Sequence, residues 1–254
     1  MSTTSSSSEG SYRRKRHIMV VGNNTQETHS LSLLLQRFEY EVSVANTSVQ
    51  ARELVFQKRP ALVITDMASQ VAGRTDLFRL LKEDVRTSSI PIVFMVPVSD
   101  AASEGRCLGM GAAACITKPI QVEELYQTVQ EILEPRPRGS MRIDTQLDVR
   151  VNDAPLGCGG PCNVDLSAYG MYLPTSSPYP PNRRITLRLH IKDRTLSLKG
   201  SVLFSHVARE GSRKPSGMGL KFVDIAPADR DFIRGYIREE ITRGITLSPV
   251  ISMY

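Results

Sequence analysis

The stretch HIMVVGNN, His17 to Asn24, decides how the first half of this chain is read. Four apolar side chains stand in a row, Ile18 to Val21, and then a glycine and two amides close the run. It reads as the edge strand of an α/β domain. In an open α/β sheet, ligands and chemistry collect at the carboxyl ends of the strands. Gly22, Asn23 and Asn24 bring no charge there, so the stretch also asks whether this domain performs any chemistry.

Further apolar runs follow at 42–45, 61–65, 91–96 and 113–116. Amphipathic stretches separate them, at 25–38, 48–58, 74–85, 101–110 and 121–133. Five strands alternating with five helices predict a doubly wound parallel sheet over 17–133. Residues 1–16 are Ser-rich and then basic (RRKR, 13–16), and are expected to be disordered. EPRPRGS, 134–140, reads as a short, stiff linker. Beyond it the pattern turns strand-rich, with ITLRLHI at 185–191, TLSLKGSVLF at 195–204 and GMGLKFVDI at 217–225, divided by turn clusters. This predicts an all-β sandwich or barrel over 141–245, closed by a helix over 227–243, with 246–254 as a tail. That helix spaces Phe232, Ile233, Tyr236, Ile237 and Ile241 along one face.

The totals narrow the class. The chain has 254 residues, 41% hydrophobic and 23% charged, and no tryptophan. It shows no apolar run of membrane-spanning length and no signal-peptide core, so a cytoplasmic protein without membrane insertion is expected. Cys107, Cys115, Cys158 and Cys162 fit that compartment as free thiols. Cys158 and Cys162 flank a GGP turn at a spacing that matches neither a redox pair nor a zinc knuckle. The net charge of +6 lies mostly in the second half, where residues 140–254 hold sixteen basic and eleven acidic side chains. That suits an anionic ligand and is too weak to argue for nucleic acid. No nucleophile is placed with a histidine base, so no enzyme is expected.

Three landmarks in the first half resemble a response-regulator receiver domain. LVITDM puts Asp66 at the end of the third strand, where that family carries its phospho-acceptor. ITKP puts Lys118 and Pro119 after the fifth, where the family carries a phosphate-binding lysine before a cis proline. PIVFMV matches the fourth strand. The resemblance implies a flavodoxin-like fold, and it is incomplete. The two acids that would hold Mg²⁺ fall at Gly22 and Asn23, and the switch hydroxyl falls at Val96. A hard cation favours carboxylate oxygens, and without it charge on a phosphoryl group at Asp66 is poorly offset. A degenerate receiver, serving as an interaction or dimerisation surface without metal or cofactor, is the expectation. Asp66 with Lys118 stays open as a phosphorylation site, and Asn23 and Asn24 as weak amide ligands to a metal.

The second half resembles a PilZ domain. RGSMR supplies Arg138 and Arg142, and DLSAYG supplies Asp165, Ser167 and Gly170. These match the RxxxR and D/NxSxxG signature of that family, and GMGLKF and the terminal helix fit the same pattern. The resemblance implies a six-stranded barrel that binds cyclic di-GMP through these five residues. The chemistry agrees. A guanidinium fork pairs bidentately with phosphate or with guanine O6 and N7, and stacks on a base. Asp165 accepts from guanine N1 and N2, Ser167 bonds the ligand or tightens the turn, and Gly170 allows a positive φ or a close backbone approach. Tyr169 departs from the small residue usual there and is expected to be a half-buried strand aromatic, with base stacking as the alternative. Arg136 and Arg138 border the linker, which suggests that ligand capture folds RPRGSMR onto the barrel.

The expectation is therefore a signalling adaptor that binds cyclic di-GMP and acts through protein–protein contacts, in motility or cell-surface behaviour. One competitor is a phosphorylation-controlled regulator whose barrel is a ligand-free interaction module. The other, held low, is a nucleic-acid-binding regulator.

Overall fold

In the computed structural model of the chain, residues 15–67, 77–97, 101–155, 160–208, 215–245 and 251–252 are described. The N-terminal fourteen residues up to Arg14, the start of the helix expected at 74–85, Cys158 and most of the C-terminal tail lie outside them. The chain divides into two compact units, residues 1–117 and 118–254.

The first unit holds β1 (His17–Val21), α1 (Thr25–Arg37), β2 (Glu41–Ala45), α2 (Ser48–Lys58), β3 (Leu62–Asp66), α3 (Leu77–Glu83), β4 (Ile92–Pro97), α4 (Ala101–Gly109) and β5 (Ala114–Lys118), whose last residue falls just past the division. The five strands form one sheet in the order β2-β1-β3-β4-β5. β1 is thus not the edge strand its position in the sequence suggested: it pairs in parallel with β2 on one side and β3 on the other. Flanked on both sides, Ile18, Met19 and Val20 are fully buried, which is what an unbroken apolar run requires. One core layer gathers Met19, Val21, Val63, Leu77, Phe78, Leu81 and Phe94. The rings of Phe78 and Phe94 meet there with centroids 5.5 Å apart. The strand order reverses between β1 and β3, so the crevice of the sheet opens at their carboxyl ends.

The second unit begins with β6 (Ile120–Gln121) and α5 (Val122–Leu133) and continues into the β-rich half: β7 (Arg142–Val151), β8 (Ala154–Pro155), β9 (Cys162–Ser167), β10 (Gly170–Pro174), β11 (Arg184–Ile191), β12 (Arg194–His206) and β13 (Gly217–Val223). The sheet order is β11-β12-β13-β10-β9-β7-β8, and β11 also pairs with β7. That last pairing closes six antiparallel strands into a barrel, with the two-residue β8 appended outside the ring. β11 alternates strictly between exposed and buried residues, with Ile185, Leu187, Leu189 and Ile191 turned inward. Val164, Leu166, Leu173, Leu198, Val202 and Leu220 fill the same interior. Cys162, expected in a turn, is a buried strand residue facing this core.

Helix α6 (Pro227–Thr242) follows the last barrel strand and packs against β7 and β9. Its start is set by Pro227, whose missing N–H costs nothing in a first turn. Ile233, Ile237 and Ile241 form its buried stripe, whereas Phe232 and Tyr236 are half-buried at the margin. The Tyr236 hydroxyl hydrogen-bonds Thr145 of β7 at 2.9 Å. Arg238 bridges Glu123 of α5 at 2.5 Å. A short strand, β14 (Ile251–Ser252), lies parallel to β6. No helix among the described residues is long and apolar enough to cross a membrane.

Candidate functional site

The crevice of the parallel sheet lies at the carboxyl ends of β1 and β3. Gly22 ends β1, and a Cβ there would stand 2.9 Å from the Thr28 methyl of α1. Thr28 is buried and held in place: its hydroxyl donates to the carbonyls of Asn24 and Thr25 at 3.0 and 3.1 Å. The space a carboxylate would need at position 22 is therefore taken. Asn24 is the N-cap of α1, and its side-chain oxygen accepts from the amides of Gln26 and Glu27 at 3.1 and 3.3 Å. An N-cap oxygen spent on two helix amides is turned away from ligand duty. Val96 is buried in the apolar core layer, so the position expected to carry a hydroxyl is a packing residue. Asp66 is the last residue of β3, and Lys118 the last of β5, with a cis peptide bond between Lys118 and Pro119.

The barrel carries the second constellation. Arg142 opens β7 and lies directly opposite Ser167, the last residue of β9. Two residues along, Asp144 lies opposite Asp165. Arg142, Asp144, Asp165 and Ser167 thus share the outward face of two neighbouring strands. The Arg142 guanidinium reaches Asp165 at 3.5 Å, with both side chains partly exposed. Asp144 was not singled out in the sequence, although its spacing from Arg142 alone places it on this face. Burial, and then the nearby charge of Asp165, hold the Asp144 carboxyl above the usual carboxylate range.

The turn joining β9 to β10 explains the rest of the DLSAYG motif. The Ser167 hydroxyl is buried and donates to the Gly170 carbonyl at 2.9 Å, so this side chain tightens the turn. Gly170 serves close approach and not a positive φ: a Cβ there would lie 2.1 Å from the carbonyl oxygen of Leu220 on β13. Tyr169 is not the half-buried strand aromatic expected. It sits on the turn itself, 45% exposed, with the Arg230 guanidinium of α6 over its ring at 5.3 Å. Its carbonyl accepts from the Phe222 amide at 2.8 Å, which ties the turn to β13. Arg138 lies just before β7 with its side chain exposed, and its backbone amide donates to Gln130 of α5 at 3.1 Å.

The structure therefore brings Arg142, Asp165, Ser167 and Gly170 to one end of three neighbouring strands, β7, β9 and β10, with Arg138 four residues ahead of Arg142. The Arg142 guanidinium, the Asp165 carboxylate and a backbone turn meet on a surface open to solvent. The arrangement suits a ligand that is both anionic and rich in planar donor groups.

Residues 18–130 match the family model of the response regulator receiver domain, and residues 136–239 that of the PilZ domain. Among curated proteins, the chain is 33% identical over 104 residues to a histidine kinase P4 of Formosa agariphila, covering 41% of this chain and 8% of that protein. It is 26% identical to the phosphate regulon transcriptional regulatory protein PhoB of Pseudomonas aeruginosa, covering 46% of this chain and 51% of that one. It is 24% identical to Protein PilH of Pseudomonas aeruginosa, covering 46% of this chain and 96% of that one. The chain thus spans about half or less of the first two relatives. Among solved structures, a response regulator from Chloroflexus aurantiacus is similar at 22% identity and a TM-score of 0.44, over 47% of this chain and 98% of that one.

Proposed function

We propose, from a chain that carries a response regulator receiver domain followed by a PilZ domain, that it is a non-enzymatic cytoplasmic signalling adaptor whose barrel binds cyclic di-GMP. Arg138 and Arg142 fork the ligand's phosphates or guanine edges, Asp165 accepts from guanine N1 and N2, and Ser167 and Gly170 shape the turn beneath it. The single observation that carries this reading is the row formed by Arg142 and Ser167 in register, with Asp165 beside them at 3.5 Å from the guanidinium. Capture of the ligand withdraws Arg142 from Asp165, so that each meets its own part of the nucleotide. It also draws the segment from Arg136 to Arg142 onto the barrel, which hydrogen exchange would register as ligand-dependent protection. The relay proceeds through protein partners, with the receiver domain as a contact or dimerisation surface. The similarity to a protein named PilH, together with the PilZ domain, supports an output in motility or cell-surface behaviour.

The deciding experiment is a calorimetric titration of cyclic di-GMP into the wild type and Arg138→Ala. Losing one charge-assisted fork costs about 2 kcal/mol, over tenfold in affinity. Saturable binding that disappears in the variant supports the reading. Absence of wild-type binding would sink it.

A second reading keeps one specific observation: Asp66 and Lys118 stand at the carboxyl ends of β3 and β5, with Asp66 on a strand that flanks the switch point of the sheet. A phosphorylation-controlled regulator predicts that beryllofluoride with Mg²⁺ changes hydrogen exchange in the receiver, and that Asp66→Ala abolishes the change. The filled position beside Thr28 and the capping role of Asn24 weigh against it.

A further inference from the structure

We infer that Tyr169 and Arg230 form a base-stacking platform, an additional part of the ligand site that the two signature motifs do not contain. The inference rests on the reading of the barrel as a cyclic di-GMP receptor and adds where a guanine face is held. Three observations point to it. Tyr169 stands in the turn between Ser167, which ends β9 with Asp165 two residues before it, and Gly170, which opens β10, and it is 45% exposed, a large aromatic presented at the end of the motif. The turn is held at both flanks, by the Ser167 hydroxyl on the Gly170 carbonyl and by the Phe222 amide on the Tyr169 carbonyl, so the ring is presented from a fixed backbone. Arg230, reaching in from α6, lies over the ring at 5.3 Å, and its Nε is buried with no hydrogen-bond partner.

An orphaned buried donor on a guanidinium is a cost the fold carries. It is relieved when an acceptor enters beside Tyr169, and a purine offers O6 and N7 along one edge and a flat π-face for the ring. Phosphate would satisfy the donor but would leave the aromatic surface unused. A planar, acceptor-edged and anionic ligand uses both. Aromatic stacking on a nucleobase is tolerant of base identity, while the Asp165 carboxylate selects guanine, so the two contacts divide affinity and specificity between them. The pair also differs from the arginines of the RxxxR motif in origin, since Arg230 belongs to the closing helix and Tyr169 to the β9–β10 turn. Ligand binding would therefore clamp α6 to the barrel wall.

The test uses the full chain. Cyclic di-GMP is titrated calorimetrically into the wild type, Tyr169→Ala, Tyr169→Phe, Arg230→Met and Arg138→Ala. Tyr169→Ala and Arg230→Met are each expected to weaken binding by about tenfold, and Tyr169→Phe to stay within about twofold of the wild type. The chain contains no tryptophan, so Tyr169→Trp installs a lone reporter at the platform. Its emission is expected to quench on titration, with the calorimetric midpoint. Wild-type binding that is lost in Arg138→Ala but unchanged in Tyr169→Ala and Arg230→Met, with no change in Trp emission, overturns the platform and leaves the receptor reading standing. No binding by the wild type overturns both.

Discussion

At the scale of single residues, the barrel end is governed by two positions that act in opposite ways. Gly170 exists because a neighbouring strand comes too close for any side chain, with a Cβ only 2.1 Å from the Leu220 oxygen. Backbone cannot step aside as a flexible side chain can, so Gly170→Ala is expected to destabilise by about 1–3 kcal/mol or more, read as a lower midpoint in urea. Asp144 does the reverse. It faces Asp165 across the strand pair, and its carboxyl is held above its ordinary range by burial and by that neighbour. A carboxyl raised in the folded state takes up a proton on folding, so stability falls as pH rises from the ordinary carboxylate range through the folded-state value. Asp144→Asn is therefore expected to be more stable than the wild type at pH 7, by about 0.2–1 kcal/mol for a like-charged cross-strand pair. The gain should vanish below pH 4, and thermal melts at the two pH values would check it. The motif in the sequence named Gly170, and its reason was not legible there, since Leu220 is fifty positions away in the chain. Asp144 was legible in principle, two residues after Arg142 on an alternating strand, but no motif drew attention to it.

At the scale of elements, period and punctuation carried most of the reading. The strict alternation of β11 and the unbroken runs of β1, β3 and β4 follow directly from which faces are buried. What period does not encode is who pairs with whom, and so β1 read as an edge although β2 lies outside it. The GMG strand shows a related limit. Gly219 of β13 lies between Tyr172 of β10 and Phe204 of β12 in register, and a Cβ on it would meet the Phe204 ring at 2.3 Å. The two rings close over the bare position, stacked with centroids 6.3 Å apart. The register between β12 and β13 shifts at Val202 and Phe204, and this bulge sets Phe204 there. Phe204→Ala is expected to cost about 1 kcal/mol or more, despite the partial exposure of the ring, because it uncovers both Gly219 and Tyr172. On the other domain, Asn24→Ala removes the only side-chain cap of α1 and is expected to cost about 1 kcal/mol. A denaturant titration followed by circular dichroism would measure either change.

At the scale of the whole molecule, two units with separate cores need not unfold together. His17 supplies a handle on one of them. Burial lowers its pKa below 6.5, more than Glu41 raises it, and Nδ1 is buried without a partner. The unfolded chain thus binds the proton more readily than the folded one, so the contribution of His17 is full above pH 6.5 and is lost as pH falls from there through the lowered folded-state value. A scanning calorimetry series from pH 8 to pH 5 should show a transition of the first unit moving down while His17→Gln removes the drift. The closed ring of the barrel has one more consequence, for association rather than binding. The ring is joined where Leu187–His190 of β11 pair with Asp148–Val151 of β7, whereas the parallel sheet ends on β2 and β5, each bonded within the sheet on one side only. Templating of one copy by another is therefore expected to begin at the edges of the parallel sheet. Glu41, the first residue of β2, is the charged side chain on that edge, of the kind that opposes strand addition.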